Sequence, residues 1–208
     1  MSSPTDPAGG VVDGSPRPLP QPWLDRGEHL VPEEGACLME AVSAAAHLPW
    51  SDAPACTHPV LALLARLVND ASTDPGRQRL TTWVPVLARA DVEPRHQLLA
   101  AARVAAACTE EALSWGPSLL LSHLHGVATL VLRHELAAED AGPAGVSVGG
   151  RRHRRKVRLF VAGPAARAVE ASVLASRRLP AARRDDALAG LLRLGVEQVA
   201  YGHPVAAD

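Results

Sequence analysis

The sequence predicts an all-α protein, a bundle of about six or seven helices. Two features support this class: alanine and leucine dominate the apolar residues, and aromatic residues make up only 3% of the chain. Alanine-rich helix faces pack closely without interlocking large rings. With 208 residues, 47% of them hydrophobic and 21% charged, the chain is long and apolar enough for one globular domain with a sizeable core.

The first 34 residues are predicted to be a disordered lead-in to a single helical domain at residues 35–208. The lead-in has no periodic apolar pattern, so it cannot bury enough surface to offset the entropy cost of ordering. Trp23 and Leu24 are expected to dock locally. The prolines of this segment are Pro4, Pro7, Pro16, Pro18, Pro20, Pro22 and Pro32.

The first helix is predicted within residues 36–48, where apolar residues recur at helical spacing. Pro49 ends it, because proline disfavours the helical conformation in the residue before it. After a loop, Pro59 suits the first position of a second helix, with Thr57 or His58 as its cap. Spacing divides this second helix into two faces. The apolar face holds Val60, Leu63, Leu64 and Leu67, and the other face holds Arg66, Asn69 and Asp70.

The rest of the chain is also predicted to be helical, with breaks at glycine and proline. A turn at residues 71–79 leads to a short helix near 80–90, and Gly116-Pro117 separates two long helices. The predicted longer helices cover residues 95–115, 117–139, 164–178 and 181–201. Between the predicted helices 117–139 and 164–178, residues 141–163 are expected to form an irregular basic insertion, either a loop or a weak two-stranded hairpin.

Charge is distributed unevenly along the chain. Residues 1–150 hold 9 Lys/Arg against 17 Asp/Glu, whereas residues 151–208 hold 12 against 5. A basic cluster can neutralise phosphates of a nucleic acid, so a phosphate contact is one hypothesis for the densest run. A solvated loop, or an intramolecular partner for the acidic half, is the alternative. The run consists of Arg151, Arg152, Arg154, Arg155, Lys156 and Arg158 around His153 and Val157, and Arg177, Arg178, Arg183 and Arg184 could extend it.

Residues 35–71 contain the most chemically suggestive side chains. Cys37 and Glu40 share one face of the first helix, and they could converge with Cys56 and His58 if the intervening loop folds back. Two thiolates, an imidazole and a carboxylate would suit zinc. The sequence therefore allows a small zinc-type metal-binding protein.

Two other interpretations of these residues stay open. In the structural one, Cys37 packs in the core, Cys56 to His58 form the start of the second helix, and Glu40 accepts a hydrogen bond from the loop. In the reactive one, unpaired amides at a helix N-terminus lower the pKa of the Cys56 thiol, and His58 acts as its base.

Two further histidines share one helix face. His123 and His134 are separated by about 16 Å along the helix axis, too far to bind one ion together. They are interpreted as surface or partly buried histidines.

The strings CLMEAVS, PWSD and CTHPVLALLARLVND resemble an uncharacterised actinobacterial family of small helical proteins. The resemblance covers about residues 35–90 and implies no activity. The family pattern has Gly-Glu directly before the Pro-Trp-Ser-Asp element and a histidine at the position of Ala53. This chain has His47-Leu48 and Ala53 at those places.

No complete catalytic or cofactor motif occurs, so the first functional hypothesis is a non-enzymatic regulatory or protein-interaction module with a protein partner. Zinc binding and nucleic-acid association remain alternatives. Three cysteines and an N-terminus without an apolar leader predict a cytoplasmic protein with reduced thiols. Arg103, His123 and His125 interrupt the longest apolar runs, so no membrane span is predicted.

Overall fold

The structure is a computed structural model that describes residues 24–140 and 150–200. This part of the chain is helical and contains no β-strand, only two isolated parallel bridges. The α-helices are α1 Leu38–Ala45, α2 Pro59–Ala71, α3 Asp74–Arg79, α4 Val84–Leu87, α5 Gln97–Ser114, α6 Leu119–Asp140, α7 Arg151–Phe160, α8 Ala166–Ala175 and α9 Ala181–Ala200. Short 3-10 turns cover Pro32–Glu34, Leu80–Trp83 and Ser176–Arg178.

The predicted fold class is confirmed. Residues 151–178 form one continuous helix, since a π-helical turn at Val161–Ala165 joins α7 to α8. If α7 and α8 are counted as one helix and the single turn α4 is left out, the described residues contain seven α-helices. Pro164 lies in the π turn, which accommodates a residue that lacks an N–H and would clash in regular α-helix.

Helix α5 lies at the centre of the bundle and contacts α6, α8 and α9, while α2 packs against α8 and α9. The alanines of α5 allow this close packing, because their small side chains leave room for three neighbouring helices. The buried residues of α5 are Leu98, Leu99, Ala100, Ala101, Ala102, Val104, Ala105, Ala106, Cys108, Thr109 and Ala112.

The prediction that residues 1–34 form a disordered lead-in is wrong for residues 24–34, and residues 1–23 lie outside the described part. Leu24 is fully buried. Its backbone N–H donates to Gln78 Oε1 at 3.0 Å, and its carbonyl accepts from Gln78 Nε2 at 2.7 Å. Leu24 therefore docks as predicted, but on a distant part of the chain and not locally, and Trp23 lies outside the described part. Gln78, 54 residues away, holds the segment in place, and no local pattern signals this contact.

The predicted irregular insertion at residues 141–163 is wrong from residue 151 onward, and residues 141–149 lie outside the described part. Residues Arg151–Phe160 are α-helical, with Val157 and Phe160 buried in the core. Their spacing of three residues matches one helix face. Burial of that face outweighs the mutual repulsion of the cations and the weak helix preference of the flanking glycines.

Two smaller expectations also change. Helix α2 begins at Pro59 with His58 as its cap, as predicted, but Asn69 is fully buried instead of lying on the outer face. Asn69 Nδ2 donates to the carbonyl of Asp25 at 2.8 Å, so the N-terminal segment covers this side of α2. The short helix expected near 80–90 is divided between a 3-10 turn and α4.

One helix in the described residues, Arg151–Arg178, is long and apolar enough to cross a membrane by length and composition. Of its most apolar 18-residue window, 44% is buried inside the fold. A core helix of a soluble protein meets the same criteria. In the described residues, α8, which is the second half of this helix, packs against α2, α5 and α6.

Candidate functional site

Cys37 and Glu40 form a reciprocal cap at the start of α1. The Glu40 N–H points at Cys37 Sγ at 3.5 Å, and the Cys37 N–H donates to Glu40 Oε2 at 2.7 Å. This is a capping box in which a thiol replaces the usual hydroxyl. Both side chains are buried, and burial raises the pKa of the Cys37 thiol to about 12. Cys37 is therefore a neutral thiol at physiological pH.

His29 completes this cluster from the N-terminal segment. Its backbone N–H donates to Glu40 Oε1 at 2.6 Å, and its ring Nδ1 lies 2.9 Å from Glu40 Oε2. Trp50 Nε1 donates to the His29 carbonyl at 2.8 Å. Glu40 thus accepts from the segment before α1 and not from the loop after it, which corrects the predicted hydrogen bond. No sequence signal marks His29, because it falls within the predicted disordered lead-in at residues 1–34.

His58 is fully buried, and hydrogen bonds engage both of its ring nitrogens. Nδ1 accepts from the Val60 N–H at 3.3 Å, and Nε2 donates to the Gln97 carbonyl at 3.0 Å. Burial lowers the pKa of His58, so the neutral ring is favoured. Because its one acceptor nitrogen already caps α2, His58 has no free nitrogen to act as a base for a thiol.

Cys56 is partly exposed, and Sγ lies 3.8 Å from the Thr57 hydroxyl. Thr57 in turn donates to the Leu87 carbonyl at 2.7 Å. The four predicted metal ligands therefore divide into two sets: Cys37 and Glu40 join His29 at the start of α1, whereas Cys56 and His58 hold the start of α2 against the 87–97 region. Within residues 24–140 and 150–200, no group of three or more His, Cys, Asp or Glu is arranged to hold a metal ion.

Two of the three histidines on α6, His123 and His134, lie on its surface. Both are exposed, and His134 Nδ1 lies 3.1 Å from Oε1 of the half-buried Glu135. His125, between them in sequence, instead faces α5, where its Nδ1 lies 3.1 Å from the Thr109 hydroxyl. The interpretation of His123 and His134 as surface histidines is consistent with this arrangement.

Helix α7 presents a dense cationic surface, which we call the basic face. At 100° per residue its six cations occupy an arc of about 200°, with Val157 and Phe160 on the opposite side. All six are exposed, as is Leu159 within the arc. His153 lies between Val157 and Phe160 on the opposite side of the helix, and its Nε2 lies 3.2 Å from the Pro94 carbonyl. The basic face consists of Arg151, Arg152, Arg154, Arg155, Lys156 and Arg158.

The basic face has no carboxylate partner among the residues that the structure describes. The ion pairs of this part of the chain involve Asp25, Glu40, Asp52, Asp74, Glu93, Glu135, Glu139, Asp186 and Glu197, and none joins a cation of α7. Gly150 caps α7 without a side-chain hydrogen bond, and its first turn contains no acid. Cations at a helix N-terminus oppose the helix dipole, so the arrangement favours a bound anion.

Four arginines are predicted as a possible extension of this patch. Arg177 and Arg178 lie at the opposite end of the same helix, whereas Arg183 and Arg184 lie on α9. Arg177 follows Arg155 by 22 residues, about 33 Å along a helix axis. Arg178 is held there by bonds from its Nη1 to the carbonyls of Gly116 and Pro117, each 3.3 Å long. The possible extension of the patch to Arg177 and Arg178 is therefore wrong.

A scan against protein-family models finds no match to this chain, and searches of curated proteins and of solved structures find none either. The resemblance of the segment around α1 and α2 to an actinobacterial family therefore stays a prediction.

Proposed function

We propose that this protein is a non-enzymatic interaction module that binds a polyanionic partner, a nucleic acid, through the basic face of α7. The observation that carries the proposal is the exposure of six cations on about two turns of helix, with no acidic partner in the described residues. Such a surface binds phosphates and releases their counterions.

The chemistry of the cations favours phosphate over carboxylate clusters on a protein. Five of the six are arginines, whose planar guanidinium donates two parallel hydrogen bonds to a phosphate. The arc of about 200° also allows contacts with both edges of a groove at once, as a helix lying in a nucleic-acid groove requires. A flat acidic protein surface would engage only part of this arc.

The non-enzymatic part of the proposal rests on the state of the reactive groups. Glu40 and His58 are buried and engaged in hydrogen bonds that hold the starts of α1 and α2. Their roles in capping explain their positions without a reaction. The function is therefore expected to reside on the surface.

Fluorescence anisotropy with a short random-sequence duplex, measured over a series of salt concentrations, tests the proposal. For Arg151→Gln with Arg155→Gln, loss of two phosphate contacts should reduce the salt slope by about 1.8. The control is Arg177→Gln with Arg183→Gln, which removes the same charge at the far end of the 151–178 helix and at the start of α9, and should leave the slope unchanged. Equal weakening by both pairs, or tighter binding to poly-glutamate than to the duplex, would refute nucleic-acid binding by α7.

A further inference from the structure

A second cationic site lies at the far end of the bundle from α7. A cavity of about 470 Å³ opens between the N-terminal segment, α2, α8 and the first turn of α9. Its size is within the range of small-molecule sites. Arg26, Arg177 and Arg184 reach it from three separate parts of the chain, so the fold and not a local run of basic residues assembles them.

These three arginines have no acidic partner in residues 24–140 and 150–200. Arg26 Nη2 donates to the Ser72 carbonyl at 3.2 Å, and Arg184 Nη2 donates to the Leu179 carbonyl at 3.3 Å. No carboxylate of the described residues forms an ion pair with any of the three. Their remaining N–H donors are available to a ligand.

Two buried polar atoms beside the cavity lack hydrogen-bond partners. They are the Ser176 hydroxyl, in a residue that is 1% exposed, and Arg184 Nε. Both residues line the cavity. Buried polar groups in folded proteins are nearly always hydrogen-bonded, so both residues carry hydrogen-bonding capacity that the described protein groups do not use.

The carboxylates at the cavity limit the charge of that group. Asp70 Oδ1 already accepts hydrogen bonds from the Gly27 N–H at 3.0 Å and from Asn69 Nδ2 at 3.1 Å. Glu170 is exposed on the rim. Three cations against two carboxylates leave one net positive charge, which matches a ligand with one negative charge.

The rest of the lining is apolar. Leu67, Ala71, Val173 and Leu174 form this part of the wall, and Leu174 is 55% exposed although it is a large hydrophobic residue. An alkyl chain along this wall would cover Leu174 and remove apolar surface from water.

We propose that this cavity binds a monoanionic carboxylate with an apolar chain, such as a medium-chain fatty acid. The carboxylate accepts hydrogen bonds from the guanidinium groups of Arg177 and Arg184, and the chain lies along Leu67, Val173 and Leu174. This site is independent of the basic face of α7, whose cations are about 33 Å away along the helix.

Isothermal titration calorimetry of the full chain with octanoate tests the site, with octanol and acetate as neutral and chain-free probes. Octanoate should bind more tightly than either. Arg177→Gln should weaken octanoate binding by about tenfold, the effect of losing one charge-assisted hydrogen bond. Glu170→Gln should tighten it, because a carboxylate that repels the ligand is removed.

Arg183→Gln is the matched control, since Arg183 is exposed next to Arg184 but does not line the cavity. It should leave octanoate binding within about twofold of the unmodified protein, a difference well under 1 kcal/mol. Because Arg177 is exposed, its variant should fold, and thermal unfolding of each variant checks this. Equal binding of octanol and octanoate, or equal losses in Arg177→Gln and Arg183→Gln, would overturn the proposal.

Discussion

A methyl group on Gly195 of α9 would lie 2.6 Å from Cδ2 of Leu64 on α2. It would also lie 3.1 Å from Cδ1 of Leu61. Carbon atoms do not approach this closely without repulsion. A side chain at this position would therefore displace Leu64, and the contact between α2 and α9 brings the N-terminal half of the fold against the last helix.

Gly195→Ala should destabilise the fold by about 1–3 kcal/mol, the usual cost of inserting a methyl group into a packed core. Gly190→Ala is the control on the same helix, since nothing lies within 4 Å of its added methyl group. It should leave stability unchanged or raise it by up to about 1 kcal/mol through helix propensity. Urea unfolding measures both, and equal effects would show that α2 and α9 are not in this contact.

Glu40→Gln should lower the free energy of unfolding by about 1–3 kcal/mol, because the neutral amide cannot accept all the hydrogen bonds from Cys37 and His29. Glu33→Gln, in an exposed residue of the same segment, should have almost no effect. Urea unfolding compares the two variants. Hydrogen exchange should show faster opening of residues 24–36 in Glu40→Gln, since His29 holds that segment to α1. Unchanged exchange there would contradict the role assigned to the cluster.

The three thiols should differ in reactivity. Burial raises the pKa of both Cys37 and Cys108 to about 12, so each is almost fully protonated at pH of about 8. Cys56 is partly exposed. In the folded protein, dithionitrobenzoate should modify one thiol rapidly, and Cys56→Ser should remove that phase. Rapid modification of two or more thiols before unfolding would show that Cys37 or Cys108 is accessible.

His58 should make stability depend on pH. Burial lowers its pKa in the folded state below the unfolded value of about 6.5. The unfolded chain then binds the extra proton, so this stability is present above pH of about 6.5 and decreases as the pH falls towards the folded pKa. The slope is at most about 1.4 kcal/mol per pH unit. His58→Asn retains a cap acceptor and should flatten the profile, whereas His123→Asn at an exposed site should not. Identical profiles for the two variants would exclude His58 as the source.

His47, two residues after the last residue of α1, has a φ of 54°, in the left-handed region that favours glycine. His47→Gly should therefore stabilise the protein by up to about 1 kcal/mol. His134→Gly, in the middle of α6, should instead destabilise it by about 1 kcal/mol. Thermal unfolding measures both changes. A loss of stability in His47→Gly would mean that the side chain makes a contact worth more than the backbone strain.

Local patterns predicted much of the helical architecture. Pro59 and His58 mark the start of α2, and Gly116-Pro117 separates α5 from α6, because proline and glycine act on the backbone within one or two residues. The same rules failed at residues 151–160, where six cations obscured the helical spacing of Val157 and Phe160. Asn69 was misplaced because its hydrogen-bond partner, Asp25, is 44 residues away.

The sequence by itself determined the all-α class, most helix boundaries and the existence of a basic run, since these depend on composition and on interactions between neighbours in the chain. Only the tertiary structure decided that His29 joins Cys37 and Glu40, that the cations of α7 stand exposed on a helix, and that Arg26, Arg177 and Arg184 share a cavity. Each of these depends on contacts between residues far apart in sequence, and such contacts are selected by burial of the whole core rather than by local preference.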